Sequence, residues 1–375
     1  MGHHHWLGLI LRLLIVTFDP PENVGGVEGR AAAYTKELGA ANYFVDLIAL
    51  APTYRFSQVP FHGAKLNKYP SSTKRVASSF RSAVSEISSN SVDSVFLLSG
   101  ALTLFGIALL AFARLMRLNS VVFLYGKDIL GAKESAFRRF ALLTASLLAG
   151  RIAVNSRFTA GLLPRSLSPK VGIVYPGVDP SILTPDMPRP GGGSKRILFV
   201  GRLVDRKGAD DLLRAFSSLS KELDGVSLEI VGAGPEMDRL KALALTLGVD
   251  RQVRFFGNLT GRALYERYSM ADVFAMPSKA TSTDVEGFGT VFLEAALFGK
   301  PSIGTTTGGI PEAINDGETG LLTPPQDVPA LTKALEELLN DDERRELMGA
   351  NAQKTALSKF TWKASTASLV GLLGG

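Results

Sequence analysis

The stretch TPDMPRPGGGSK (184–195), followed at once by RILFVG (196–201), decides how this chain is read. Three prolines and three glycines in twelve residues make a linker composition. On each side of it the same pattern runs. Upstream, LRLLIVTF (11–18), YFVDLIAL (43–50), DSVFLLSG (93–100), SVVFLYG (120–126), RIAVNS (151–156) and KVGIVYPG (170–177) read as strands separated by helical stretches. Downstream, RILFVG, SLEIVG (227–232), QVRFFG (252–257), DVFAMPS (272–278) and PSIGT (301–305) repeat the alternation. Near-continuous apolar strands alternating with helices mean parallel sheets covered on both faces. Two such sets around one linker predict an α/β protein of two doubly wound domains with a cleft between them.

The length of 375 residues fits two domains. Cysteine is absent, which excludes disulfides and thiol chemistry. The leading MGHHH reads as a tag remnant; without it His62 is the only histidine, so no mechanism can need two. Charge is uneven. Residues 1–185 hold 19 Lys+Arg against 10 Asp+Glu, and the rest hold 22 against 25. A basic first half suggests a phosphate-bearing partner or an anionic membrane surface. Nucleic acid is not expected, since basic and aromatic residues do not interleave. VFLLSGALTLFGIALLAFA (95–113) is long and uncharged enough to span a bilayer. Ser99-Gly100 breaks it, however, so it reads as strand, turn and buried helix, with a membrane-facing surface as the other possibility.

Three loops carry chemistry. Gly25-Gly26 follow the first strand and precede a helix, where backbone N–H groups can approach an anion. Arg202 and Lys207 lie in VGRLVDRKGADDLLRAF, at the C-terminal end of a strand, where open α/β sheets hold ligands. Two cations there suit a diphosphate leaving group. In TSTDVEGFGTVFLEAALFGKPSIGTTTGGIPEAI (281–314), Glu286 precedes a helix start near Gly289 and Glu294 falls on its second turn. Two separated carboxylates can grip two sugars while the N–H groups of Gly287 to Thr290 meet a phosphate. VGAGPEM (231–237) offers a dinucleotide-binding alternative but lacks the third glycine.

Taken together, EGFGTVFLE (286–294), GRLVDRKGADDLLRAF, GGIPEAINDGETGLL (308–322), VNSRFTAGLL (154–163), VYPGVD (174–179) and GGVEGRAAAYTKEL (25–38) resemble the retaining glycosyltransferases of family 4, group 1 glycosyl transferases with the two-Rossmann GT-B architecture. The resemblance implies an acceptor-side domain over 7–185, a nucleotide-sugar domain over 195–355, and a tail over 356–375, including FTWKAS (360–365), that crosses back to the first domain. It assigns the donor diphosphate to Arg202 and Lys207, donor-sugar hydroxyls to Glu286 and the nucleotide ribose to Glu294. Gly25 and Gly26 would approach the distal phosphate; Gly287, Phe288, Gly289 and Thr290 would complete the donor site; Leu259 would line the base. It implies no cofactor and no catalytic metal, with basic side chains in place of the cation. Transfer would proceed by front-side attack, in which the leaving phosphate takes the acceptor proton.

The resemblance breaks at FLYGKDIL (123–130), read as a strand end followed by a loop, where Tyr125 stands at the family's histidine position with Asp128 nearby. Tyrosine can hydrogen-bond but carries no positive charge at neutral pH. The expectation is an altered but active enzyme. The donor is expected to be GDP-mannose or a UDP-sugar, and the acceptor a sugar, a lipid-linked hydroxyl or a phosphate-bearing molecule. The location would be cytoplasmic, with peripheral contact at an anionic membrane. A nucleotide-sugar epimerase and a weakly active nucleotide-sugar-binding subunit are the alternatives.

Overall fold

The computed structural model describes residues 11–17, 29–49, 66–68, 83–85, 87–88, 92–188, 194–281 and 284–373. Gly25, Gly26 and His62, and the first residues of the stretch 7–16, lie outside them. The chain divides into two compact units. One gathers the described residues of Met1–Asn155, Ala160–Val174 and Ser365–Gly375; the other takes Ser156–Thr159 and Tyr175–Ala364. The second unit therefore begins ahead of the proline- and glycine-rich stretch.

The first unit is a seven-stranded sheet. Its strands are β1 (Arg12–Thr17), β2 (Phe44–Ala49), β3 (Leu66–Lys68), β4 (Ser94–Leu97), β5 (Asn119–Leu124), β6 (Arg151–Val154) and β7 (Val171–Ile173), in the order β3-β2-β1-β4-β5-β6-β7. The helices are α1 (Arg30–Ala40), α2 (Leu104–Leu115), α3 (Gly126–Gly131) and α4 (Ala136–Leu148), and the short α5 (Arg157–Gly161) follows β6. The second unit has six strands, β8 (Lys195–Val200), β9 (Val226–Val231), β10 (Val253–Gly257), β11 (Val273–Ala275), β12 (Ser302–Thr305) and β13 (Gly320–Thr323), in the order β10-β9-β8-β11-β12-β13. Its helices are α6 (Ala209–Leu219), α7 (Met237–Thr246), α8 (Gly261–Met270), α9 (Thr290–Leu297), α10 (Ile310–Ala313), α11 (Val328–Asn340) and α12 (Asp342–Lys359); α13 (Trp362–Gly371), at the chain's end, falls to the first unit from Ser365 onward.

Every pairing among these strands is parallel. The sequence explains this. Leu13 to Val16 in β1 and Ile197 to Val200 in β8 are buried without alternation, because helices cover both faces. Each sheet reverses strand order once, between β1 and β4 and between β8 and β11. Loops splay apart at such a reversal and leave a crevice at the strands' C-terminal ends. In the first unit the hydroxyls of Thr17 and Ser99 bridge that point, 3.1 Å apart.

One sequence reading changes, and another holds. FLYGKDIL does not run into a loop: α3 begins immediately after Tyr125, and Asp128 Oδ2 accepts from the Tyr125 N–H at 3.0 Å, as an N-terminal cap does. The uncharged run 95–113 is strand, turn and helix, with Gly100 at φ +74 in the turn and Thr103 capping α2. That helix is only half buried, for Leu104 and Leu115 face outward. Among the described residues no helix is long and apolar enough to cross a membrane. The tail from Ser365 belongs to the first unit, where its hydroxyl pairs with the buried Tyr34 hydroxyl at 2.9 Å.

VGAGPEM receives a structural explanation. A Cβ on Gly232 would overlap the Gly201 carbonyl, and one on Gly234 the Leu203 carbonyl. These glycines let the loop after β9 lie directly on the loop after β8. Gly232→Ala adds that clash to a φ of +138, so it should lower unfolding free energy by about 3 kcal/mol or more. Gly248→Ala, at φ +72 in open space, should cost only about 1–2 kcal/mol. Urea titrations of both variants beside the wild type check the contrast; equal losses would remove the close-packing explanation.

Candidate active site

The second unit's crevice opens where β8 and β11 part. The loop leaving β8 makes a single 3₁₀ turn, Asp205–Lys207, and ends at Gly208 with φ +70. A side chain at Gly208 would overlap the Pro277 carbonyl, so this loop lies against the one leaving β11. A buried lysine fastens the two. Lys279 Nζ donates to both carboxylate oxygens of Asp210 at 2.9 Å and reaches Asp205 at 3.3 Å and Asp211 at 3.5 Å. Its backbone N–H donates to the Arg206 carbonyl at 2.7 Å. Burial disfavours its charge, but its hydrogen bonds to Asp210 and the charges of the three carboxylates together hold its pKa above the ordinary lysine value. For Asp211 burial dominates and pushes the carboxyl upward.

With the loop fixed, two cations meet one carboxylate. Lys207 Nζ and Arg206 Nη1 both bond Glu286 Oε2, the arginine at 3.0 Å, and Arg206 Nε lies 3.0 Å from Asp284 Oδ2. Burial would raise the Glu286 pKa, yet the charges and hydrogen bonds of Lys207 and Arg206 outweigh it and hold the group at about 2. Glu286 is therefore a permanent anion at neutral pH. It can accept hydrogen bonds but cannot give or take a proton in a reaction near pH 7. Arg202, on the same loop, is exposed and pairs with no described carboxylate. The sequence reading passed over Arg206, although it stands next to Lys207; Lys279 was missed because a lone lysine in PSKATS looks like surface.

Gly289 caps α9 with φ +86, and a Cβ there would overlap the Phe292 ring. The N–H groups of the first turn lack intrahelical acceptors and carry the helix's partial positive charge. Phe288 does not present its side chain to this mouth. It is buried between Tyr175, at 5.4 Å between ring centroids, and Phe360, at 5.6 Å, so only its backbone is available. Gly287 completes the contact with the next loop: the Gly309 N–H donates to the Glu286 carbonyl at 2.9 Å, and side chains on Gly308 or Gly309 would overlap the carbonyls of Glu286 or Gly287. The pair Gly308-Gly309 is thus a spacer of zero thickness beneath the acidic loop.

Glu294 sits on the second turn of α9, half-buried. Tyr268 donates its hydroxyl to Glu294 Oε2 at 2.7 Å, and the Tyr268 ring is fully buried and stacked on Phe298, 5.8 Å away at 6°. Burial raises the Glu294 pKa and the tyrosine hydrogen bond partly opposes it. Leu259 follows β10, half-buried against the same core. Glu312, of GGIPE, is already committed: it accepts from the N–H groups of Arg157 and Phe158 at 2.8 and 2.9 Å and from the Tyr175 hydroxyl at 2.9 Å. Burial, then that hydrogen bond and charge, push the Tyr175 pKa to about 12.

The structure thus gathers Lys207 and Glu286 in one cluster within the second unit and places Glu294 and the backbone of Gly287, Phe288, Gly289 and Thr290 on the same helix entry. Tyr125 belongs to the first unit, at the end of β5. Its hydroxyl donates to the Leu98 carbonyl at 3.1 Å and the Arg30 guanidinium lies over its ring at 5.2 Å. Among the described residues no group of His, Asp or Glu is arranged to hold a metal ion.

Residues 187–355 match the family described as "Glycosyl transferases group 1". The chain is 31% identical, over 97% of its own length and 98% of the relative's, to a GDP-mannose-dependent alpha-(1-6)-phosphatidylinositol monomannoside mannosyltransferase of Mycolicibacterium smegmatis. It is 37% identical to a D-inositol 3-phosphate glycosyltransferase of Corynebacterium jeikeium, over 53% of this chain and 50% of that one. Among solved structures it resembles sucrose-phosphate synthase from Thermosynechococcus elongatus, with TM-score 0.77 and 20% identity over 96% and 98% of the two chains. It also resembles WaaG, a glycosyltransferase involved in lipopolysaccharide biosynthesis, with TM-score 0.70 and 18% identity over 98% and 100%. At those identities the structural likeness speaks for the fold.

The Glu286 pKa fixes a pH dependence. A carboxyl held at about 2 when folded and 4.5 when free contributes stability that is complete above pH 4.5 and is lost as pH falls toward 2. The ceiling is about 3 kcal/mol. Thermal unfolding from pH 7 to 2 should show this acid loss, and Glu286→Gln should flatten it. An unchanged acid limb in the variant would mean that the two cations do not hold Glu286 in solution.

Proposed function

Since the chain belongs to the group 1 glycosyl transferases, with their GT-B fold, and is a hexosyltransferase, we propose that it is a retaining, family 4 type enzyme moving mannose from GDP-mannose to a hydroxyl of a lipid-linked, phosphate-bearing acceptor. The observation that carries this reading is the meeting of Lys207 and Arg206 on Glu286 at the β8/β11 crevice, beside the open N-terminus of α9. An anionic diphosphate entering there finds Lys207 and the unpaired Arg202, with the first-turn N–H groups of α9 as further donors. These groups stabilise negative charge as the diphosphate leaves, the role a metal ion plays in other transferases.

The proposed sugar contacts follow from the state of each carboxylate. Glu286, ionised and with Oε1 unclaimed by either cation, accepts from hydroxyls of the donor sugar. Glu294 offers Oε1 to the ribose. None of the three glutamates of this region is placed as a nucleophile: Glu286 is held by two cations, Glu294 by Tyr268 and Glu312 by two amides and Tyr175. That favours front-side displacement over a covalent intermediate, with the leaving phosphate taking the acceptor proton and the protein supplying position and charge. The mannose donor and the lipid-linked acceptor take their support from the full-length mannosyltransferase relative, whose name gives both.

A panel of GDP- and UDP-sugars, read by thermal shift and by slow donor hydrolysis with and without a chelator, tests the reading. GDP-mannose should give the largest shift, and the chelator should change nothing. If no nucleotide sugar binds, the reading fails. Lys207→Met should lower kcat/KM by about 10²-fold. Tyr125→Phe, which removes the bond to Leu98, should lower transfer while leaving GDP affinity unchanged; loss of neither would make Tyr125 a packing residue only.

A further inference from the structure

Helix α4 is a thirteen-residue amphipathic helix turned the unusual way. Ala141, Leu142, Ala145 and Ser146 form its buried side. Its opposite side carries Phe137, Phe140, Leu143 and Leu147, exposed by 61, 66, 45 and 64%. These four recur at spacings of three and four, so they line one stripe. Single exposed apolar residues are ordinary; four large ones on one helix stripe are not, and mark a contact surface. The uncharged run 95–113, where the sequence suggested a membrane-facing surface, buries most of its apolar residues instead.

The charges around the stripe say what covers it. α4 has no acidic residue, and no described carboxylate pairs with Arg138 or Arg139. At its other end Lys170 Nζ donates to the carbonyls of Ser146, Leu147 and Ala149 at 3.4, 3.2 and 3.0 Å, and Arg114 Nη1 to that of Leu147 at 3.4 Å. Partial burial and then repulsion from Arg114 and Arg151 lower the Lys170 pKa, which marks how much positive charge converges there. A second copy of this chain would bring arginines against arginines. An anionic bilayer would neutralise them while accepting the phenylalanines at its headgroup boundary.

We propose that the Phe137–Phe140–Leu143–Leu147 stripe of α4, flanked by Arg139 one turn before Leu143 and by Arg114 at the Leu147 carbonyl, is a membrane-contact surface for anionic phospholipid. The helix lies in the interface plane, with its aromatic rings in the lipid and Arg139 and Arg114 at the phosphates. This agrees with a lipid-linked acceptor but rests on α4 alone.

Co-sedimentation of the full chain with vesicles lacking any glycolipid keeps the two ideas separate, because it reads binding and not transfer. The protein should bind phosphatidylcholine vesicles containing phosphatidylglycerol, bind pure phosphatidylcholine vesicles far less, and be released by salt. Phe137→Ser with Phe140→Ser should reduce binding about tenfold or more, with the thermal midpoint and donor hydrolysis unchanged. Arg139→Gln with Arg114→Gln should erase the preference for anionic lipid. Leu347→Ser, equally exposed at 62% but in the second unit, should bind as the wild type does. Absence of binding to the mixed vesicles, binding that survives the double serine variant, or a concentration-dependent dimer that this variant abolishes would each overturn the proposal.

Discussion

A buried ammonium must be surrounded by acceptors or it will not stay buried, and that requirement at Lys279 shapes the second unit's site. Three carboxylates, Asp205, Asp210 and Asp211, come to it from the loop and helix after β8, while its own backbone is anchored to the Arg206 carbonyl. Two loops that leave different strands are thereby fixed to each other. The turn Asp205–Lys207 has little freedom left, so Arg206 and Lys207 are delivered to Glu286 by the scaffold and not by chance rotamers. Glycines finish the arrangement from the other side, since only backbone at Gly208, Gly308 and Gly309 is thin enough to let these loops touch.

The strands were legible in the sequence because burial on both faces leaves no polar alternation to confuse them. Boundaries shifted where a short helix follows a strand without a spacer: at Tyr125 the chain passes straight into α3, and six helical residues beginning with glycine carry too little periodicity to be seen. Glu286 and Glu294 were legible because glycines bracket them at a helix start. Lys279 was not, since nothing local separates a lysine that will be buried from one that will be solvated; its three partners lie some seventy positions earlier in the chain. The α4 stripe is not singled out in the sequence, because Arg138 and Arg139 interrupt FRRFALLTASLL while the longer uncharged run 95–113 stands out.

The cations of the cluster are not bare. Lys207 and Arg206 are answered by Glu286 and Asp284, so this cluster is neutral, with Arg202 on the same loop. Such an arrangement keeps the four ionised groups tolerable away from bulk water. It also makes Glu286 sensitive to anything that draws Lys207 away, because its low pKa is largely on loan from that neighbour.

The hydrogen bond from Tyr268 to Glu294 reaches further than a single contact. A glutamate normally surrenders several rotatable bonds when it grips a ligand, and that disorder is a standing penalty on affinity. Here a fully buried ring, stacked on Phe298, holds Oε2 beforehand and leaves Oε1 pointing from a fixed position. Under the proposed role, the ordering penalty was met when the chain folded. A donor lacking the ribose hydroxyl would then strand a rigid carboxylate that cannot swing out to find water, so discrimination would come less from attraction to the right nucleotide than from the helplessness of the side chain before the wrong one.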